Sequence, residues 1–358
     1  MRAYESINTS GMDSPAPIFI IGSYRSATSA TTWAIGQHPN IFPLEETNFL
    51  GKLSIDLGIQ HELGSDRGAR TFLSSAGFTR WEYCQFFGSC LDRLVMNSRQ
   101  RIVDRSRSAA ANGKRVADID SLLSFPDSGQ KSRWVDGTPE NSHYVLPLSR
   151  MFPRAKFIFM LRHPSEVARS LIHFQSIGGG VYSEERAYTL WSELTRACAL
   201  AERALGSGVV LRVRYEEIAE DPGQALQRCL TFVGEEMHEQ CVTPFRERIN
   251  ASVIPSNLKQ QARGKPPPYV TEAVALYESL VSGDFERDWS RYRALKELAK
   301  KLKAHEQLFH PATVSEILRK KRQLEHKHRP LRVKLWNANK RVLAHLSSFA
   351  RRATSALR

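Results

Sequence analysis

The stretch "PIFIIGSYRSATSATTW", residues 17–33, runs four β-branched or aromatic residues into a glycine, a small polar loop and then a helix-forming segment. A short run that is apolar at every position suits a strand covered on both faces, as at the centre of a parallel sheet. A glycine, a small-residue loop and a helix start are the layout that cradles a phosphate with backbone amides and a helix N-terminus. Against the pattern G-x-x-x-x-G-K-[ST], however, Ala27 stands at the second glycine and Thr28 at the lysine. That lysine reaches the outer phosphates of a triphosphate. Here a positive charge lies inside the loop instead, at Arg25. The loop alone admits two readings: a cradle for a single phosphate with Arg25 facing the departing group, or an ordinary strand-to-helix turn.

Outward from this loop, "FPRAKFIFMLRHP" (152–164) reads as a second buried strand and "SEVARSLIHF" (165–174) as the helix after it. "GVVLRVRYEEI" (208–218) reads as a third strand, followed by a helix, "DPGQALQRCLTFVG" (221–234), whose start is signalled by Asp221-Pro222. Strands alternating with helices predict an α/β domain, a three-layer parallel sheet flanked by helices. Residues 50–133 are less regular, with helical patches around 81–99. The second strand bears on the loop. Arg162 ends that strand, where parallel sheets bind ligands, and Ser170 follows on the next helix. Arg162 offers a bidentate grip on phosphate and Ser170 a hydroxyl donor. Two anion sites on neighbouring strand ends suggest a ligand phosphorylated at both ends.

The chain has 358 residues, and its net charge of +14 is unevenly distributed. Residues 291–358 hold 19 Lys/Arg against 4 Asp/Glu, a net of +15, which leaves 1–290 at −1. The five cysteines form no C-x-x-C pair, which predicts reduced thiols in a cytosolic protein. Residues 1–15 read as a disordered leader and lack the charge and apolar run of a signal peptide. No window approaches the roughly 18 apolar residues that span a bilayer.

At this point the chain resembles the sulfotransferases that use 3′-phosphoadenosine 5′-phosphosulfate (PAPS), closest to the carbohydrate and tyrosylprotein type and their bacterial relatives. That family's first loop, P-[RK]-S-G-T-[TS], corresponds to Tyr24-Arg25-Ser26-Ala27-Thr28-Ser29. Its second element, "FP.AKFI..LR.P…S", is matched by Phe152 through Arg162 and Ser170. Its third, "YE.L…P…….FLG", is matched by Tyr215-Glu216-Glu217-Ile218, Pro222 and Phe232-Val233-Gly234. The likeness extends over roughly residues 16–265, and implies a P-loop-NTPase-like sulfotransferase fold over 16–290 with a basic helical extension over 291–358. It implies PAPS as co-substrate without a metal, the 5′-phosphosulfate held by Arg25, Ser26, Ala27, Thr28 and Ser29, and the 3′-phosphate held by Arg162 and Ser170. It further implies Tyr215 near the adenine, with Arg263 and Gly264 as a reduced late basic loop. Three positions depart from the family: Tyr24 replaces proline, Ala27 replaces glycine, and Gly137 stands where many relatives carry a lysine before Thr-Pro.

Sulfuryl transfer moves SO₃ in line to an acceptor hydroxyl and needs stabilisation of the leaving phosphate and a base for the acceptor proton. Arg25 at the loop tip suits the first task. Resemblance assigns the second to Glu46, before Thr47-Asn48-Phe49, with Glu45 as fallback; His38 suits a turn ending the first helix. By resemblance only, a glutamate base favours carbohydrate or peptide acceptors; the acceptor expected is a carbohydrate, glycolipid or other hydroxyl. A small-molecule kinase and a non-catalytic nucleotide-binding or membrane-docked scaffold are the alternatives. In the tail, Leu335, Ala338, Val342, Leu346, Phe349 and Ala353 share a stripe opposite Lys340, Arg341, Arg351 and Arg352. This pattern predicts a peripheral contact through 331–358 with the inner membrane surface or a second copy, ahead of nucleic acid, since few aromatics interleave with the charges.

Overall fold

The computed structural model describes residues 15–65, 70–111, 131–174, 180–246 and 265–311, with a few positions between 315 and 322. The leader before residue 15, Arg263, Gly264 and the tail stripe at 331–358 lie outside the described residues. Five strands form one all-parallel sheet: β1 (Ile18–Gly22), β2 (Ile41–Pro43), β3 (Arg133–Asp136), β4 (Lys156–Leu161) and β5 (Val210–Arg214), in the order β2-β3-β1-β4-β5. The three strands expected from sequence are β1, β4 and β5. The two that were not, β2 and β3, are only three and four residues long, too short to display a period. Residues 50–133 are more helical than the sequence suggests, with helices at Leu50–Gly64, Phe72–Ala76 and Arg80–Ala111.

β1 lies at the centre because it is apolar on both sides. Alternate residues point to opposite faces, so Ile18 and Ile20 join a core built with Ile35, Ile158, Val213, Leu226 and Leu230. Phe19 points to the other face, where its ring stacks on Phe157 (5.1 Å) and meets Trp134 edge-on (5.5 Å). The helices Thr28–Gly36 and Pro222–Val233 supply the first of these layers. The second of those helices is delimited as its residues require. Asp221 caps its start by accepting the Gln224 amide (2.9 Å), and Gly234 ends it in the left-handed conformation (φ 83°).

The chain runs from β1 toward β2 on one side of the sheet and from β4 toward β5 on the other, so the C-terminal ends of β1 and β4 flank a topological switch point where a crevice opens. Two backbone positions shape what stands there. Gly22 has φ 148°, and a Cβ on it would lie 2.6 Å from the Met160 carbonyl oxygen, so only glycine lets β1 pass β4 at its exit. Ala27, the residue before the helix Thr28–Gly36, adopts φ 69° and ψ 20°, and Arg25 has φ 60°. The methyl group that replaces the family's glycine therefore sits in a left-handed conformation that disfavours it.

Described residues fall into two compact units, Met1–Gly58 with Thr79–Ala304, and Ile59–Phe78 with His305–Arg358. The sheet and everything at its C-terminal edge belong to the first. No helix among the described residues is long and apolar enough to cross a membrane. All five cysteines are free, and burial pushes the Cys198, Cys229 and Cys241 thiols up to about 12, which keeps them protonated and unreactive.

Two substitutions test this reading of the loop, each measured by urea or thermal unfolding. Gly22→Ala should destabilise by about 2–3 kcal/mol through overpacking and strain. Ala27→Gly should relieve about 1–2 kcal/mol of left-handed strain while adding up to about 1 kcal/mol of unfolded-state entropy, a net gain of about 0.5–1 kcal/mol.

Candidate active site

The loop Ser23–Ala27 hangs between β1 and the helix Thr28–Gly36, and it is contacted by Arg162, just after β4, and by Ser170 on the helix Pro164–Phe174. The first intrahelical bond is donated by Thr31 to the Ala27 carbonyl oxygen (3.0 Å). The amides of Thr28, Ser29 and Ala30 thus have no intrahelical acceptor and point into the crevice end of the helix. Ser26 is fully buried and its hydroxyl has no hydrogen-bond partner; the same is true of Ser23. A buried donor without a partner beside a helix N-terminus fits an anion such as phosphate.

Two guanidinium groups converge on this loop. Arg25 Nε donates to Ser170 Oγ (3.0 Å), and Arg162 Nη1 donates to the Arg25 carbonyl oxygen (3.0 Å). Arg162 is itself held on three sides. Its Nε bonds Glu166 Oε2 (2.9 Å), its guanidinium carbon lies 4.1 Å from the centre of the Tyr215 ring, and its carbonyl oxygen accepts from Trp191 Nε1 (3.0 Å). Burial and the charge of Arg162 both lower the proton affinity of Arg25. Two like charges brought together in a partly desolvated crevice are a site for an anion, since an anion relieves both their repulsion and their desolvation.

Structure and sequence distribute these residues differently in two respects. Arg25 and Ser170, assigned to opposite ends of the ligand by resemblance, are hydrogen-bonded to each other, so the two expected anion sites adjoin. Tyr215, expected at the adenine, places its ring against Arg162 and orients that guanidinium. Gly137 also acquires a reason. A Cβ there would lie 2.1 Å from Thr32 Oγ1, so the lysine found in relatives has no room beside this helix.

On the other side of the loop lies an acidic group that the sequence displayed only in part. Asp136 ends β3 and is fully buried. It accepts from Thr138 Oγ1 (2.6 Å), the Thr138 amide (2.8 Å), Thr47 Oγ1 (2.7 Å) and Asn141 Nδ2 (2.9 Å). The Thr47 amide in turn donates to Thr138 Oγ1 (2.9 Å). This network fixes the backbone next to Glu46. The Glu46 side chain is exposed on one side, yet partial burial first, then the charges of Glu140 and Asp136, raise its proton affinity. Tyr24 donates its hydroxyl to Glu140 Oε1. The run "VDGTPEN" (135–141) held the signal for this group, an aspartate at a strand end followed by three hydrogen-bonding side chains, but only the missing lysine drew notice.

His38 and Glu45 are elsewhere in role. His38 follows the far end of the nine-residue helix, about 13 Å from the loop at 1.5 Å per residue. There it is buried, its Nδ1 accepts the Asn40 amide (3.2 Å), and burial lowers its proton affinity. Glu45 is exposed. Among the described residues, no group of three or more His, Cys, Asp or Glu side chains is placed to hold a metal ion.

A protein of Aquifex aeolicus is 25% identical over 251 residues, covering 68% of this chain and 28% of that protein. Nodulation protein NoeE of Sinorhizobium fredii is 26% identical over 243 residues, covering 62% of this chain and 51% of that protein. The chain thus spans about half or less of the curated relatives it matches. Among solved structures, the sulfotransferase domain from the Synechococcus PCC 7002 olefin synthase superposes with a TM-score of 0.44 at 18% identity, covering 76% of this chain and 96% of that one. A model of the sulfotransferase family matches residues 17–239, from the first strand through the helix after β5, and the chain belongs to that family.

Proposed function

We propose that the protein is an O-sulfotransferase that moves the sulfuryl group of PAPS to a hydroxyl of a carbohydrate or glycolipid acceptor. The observation that carries this is the convergence of Arg25 and Arg162 on a loop whose buried Ser26 hydroxyl lacks a partner. When bound, PAPS supplies an SO₃ group and a phosphate leaving group. Arg25 and the amides of Thr28, Ser29 and Ala30 face the position where negative charge grows, so they stabilise it without reorganising. Arg162 holds Arg25 through its carbonyl oxygen and adds a second positive charge for the nucleotide. Glu46 takes the acceptor proton, for which its raised proton affinity suits it. A glutamate rather than a histidine at this place, as in the carbohydrate and tyrosylprotein type, supports a sugar hydroxyl as acceptor.

The basic extension supports a peripheral role. In the helix Arg291–Phe309, Ala294, Leu298 and Leu302 are buried, while Arg293, Lys296, Lys300 and Lys303 are exposed on the opposite face. Such a face is attracted to anionic headgroups.

Immobilised adenosine 3′,5′-bisphosphate should retain the protein, and Arg162→Ala should abolish retention without lowering the melting temperature by more than a few degrees; unchanged retention removes the nucleotide assignment. Glu46→Gln should lower ³⁵S transfer from labelled PAPS about 10²–10⁴-fold while leaving retention intact. Because the base must be ionised, transfer should rise with pH through a midpoint above the ordinary glutamate value. Retention without transfer to any acceptor fraction would instead mark a nucleotide-binding scaffold, and magnesium-dependent ATP turnover a kinase. Deleting 331–358 should weaken co-sedimentation with anionic liposomes, and equal binding removes the membrane contact.

A further inference from the structure

The proposed chemistry leaves the Tyr24–Glu140 contact without a role. Tyr24 stands in the loop where the family has proline, which offers no side-chain donor, so this hydrogen bond exists only because of that replacement. Glu140 belongs to the short 3₁₀ turn Pro139–His143. Ser142 in the same turn accepts from the Gly22 amide (2.9 Å) and donates to the Gly22 carbonyl oxygen (3.1 Å), so the turn is fastened to the start of the loop. Unlike Asp136, whose oxygens are both satisfied, Glu140 is bonded through Oε1 only, and its Oε2 is buried with no partner. A carboxylate kept for structure alone is normally satisfied on both oxygens.

Glu46 is brought to the same place by the bonds that pin Thr47 to Thr138 and Asp136. The ionisable groups that act on this corner come from every element around it. Asp136 extends from β3 and Glu140 from the turn; Tyr24 comes from the loop, with Tyr144 against Glu140 and Tyr182 against Tyr24. Among the described residues, the charges that act on Glu46 are those of Glu140 and Asp136.

We propose that Glu140, anchored by the Tyr24 hydroxyl, is a positioning residue for the base, holding a second negative charge beside Glu46 so that Glu46 draws the acceptor proton more strongly. The inference rests on the reading of Glu46 as the base. A negative charge beside a carboxyl disfavours its ionisation and so strengthens it as a base. Glu46 is displaced in that direction, with Glu140 named after burial among the causes. Burial and Glu140 likewise raise the proton affinity of Tyr24, so its hydroxyl remains a donor at working pH.

Titration of the glutamate carboxyl carbons by ¹³C NMR in the full chain tests this, with Glu46→Gln used for assignment. Glu140→Gln should lower the Glu46 midpoint by about 0.5–1 pH unit, and the acid limb of sulfuryl transfer against pH should move with it. Tyr24→Phe should give part of that shift, and Glu140→Asp, which keeps the charge, should restore most of the midpoint. A purely structural pair would lower the melting temperature and leave the midpoint where it was. An unmoved Glu46 midpoint in both Glu140→Gln and Tyr24→Phe overturns the proposal. Should Glu140→Gln fail to fold, Tyr24→Phe, which deletes a single hydroxyl, reads the same midpoint. Because the titration needs no acceptor, a shifted midpoint in protein that transfers no sulfuryl group supports the pair while removing the function proposed above.

Discussion

The hydrogen bond from Arg162 to the carbonyl oxygen of Arg25 ties the end of β4 to the loop after β1. Most of the candidate site hangs on it. A loop with two residues in the left-handed region does not hold its shape by local preference. It holds because neighbouring elements grip it: Arg162 from one side, Ser170 through the Arg25 side chain, and Glu140 through Tyr24 from the other. The same grip forces two guanidinium groups into one crevice.

The charges at the sheet edge are sorted by strand. Arginines come from the loop and from the residue that follows β4, on the side proposed to hold a phosphate. Carboxylates come from β3 and the segment after β2, on the side of the proposed base. The order β2-β3-β1-β4-β5 creates this division by setting β1 between β3 and β4. In the proposed mechanism leaving-group stabilisation and base catalysis adjoin, and among the described residues the charges that shift Glu46 are carboxylates, which raise its proton affinity.

The three departures from the family's motifs have different physical meanings. Ala27 introduces strain and has no visible compensation in its own contacts. Gly137 is a packing requirement, because Thr32 occupies the space a side chain would take. Tyr24 adds a hydrogen bond that proline cannot make. Seen in sequence, all three look like losses from a phosphate loop; in space, only the first is one.

How much was legible follows from the range of the forces involved. The buried strands β1, β4 and β5, the capped helix after Asp221 and the loop after Gly22 were readable, because apolar runs, caps and glycines act over a few neighbouring residues. Arg25, Arg162 and Ser170 were readable as candidates for one site through their motifs, and the structure brings them together. The short strands β2 and β3 were not, since their edges are defined by pairing with residues about 90 positions away. Nor was the Asp136 network or the Tyr24–Glu140 bond, whose partners are 89 and 116 positions apart. By itself, the sequence determined a parallel α/β domain of the sulfotransferase type and which residues are candidates for its site. Only the tertiary structure decided that Arg25 and Ser170 meet, that Tyr215 lies against Arg162, and that Glu46 stands near other carboxylates. Charge and hydrogen bonding act through space between strand ends, and no local pattern records which ends the sheet will bring together.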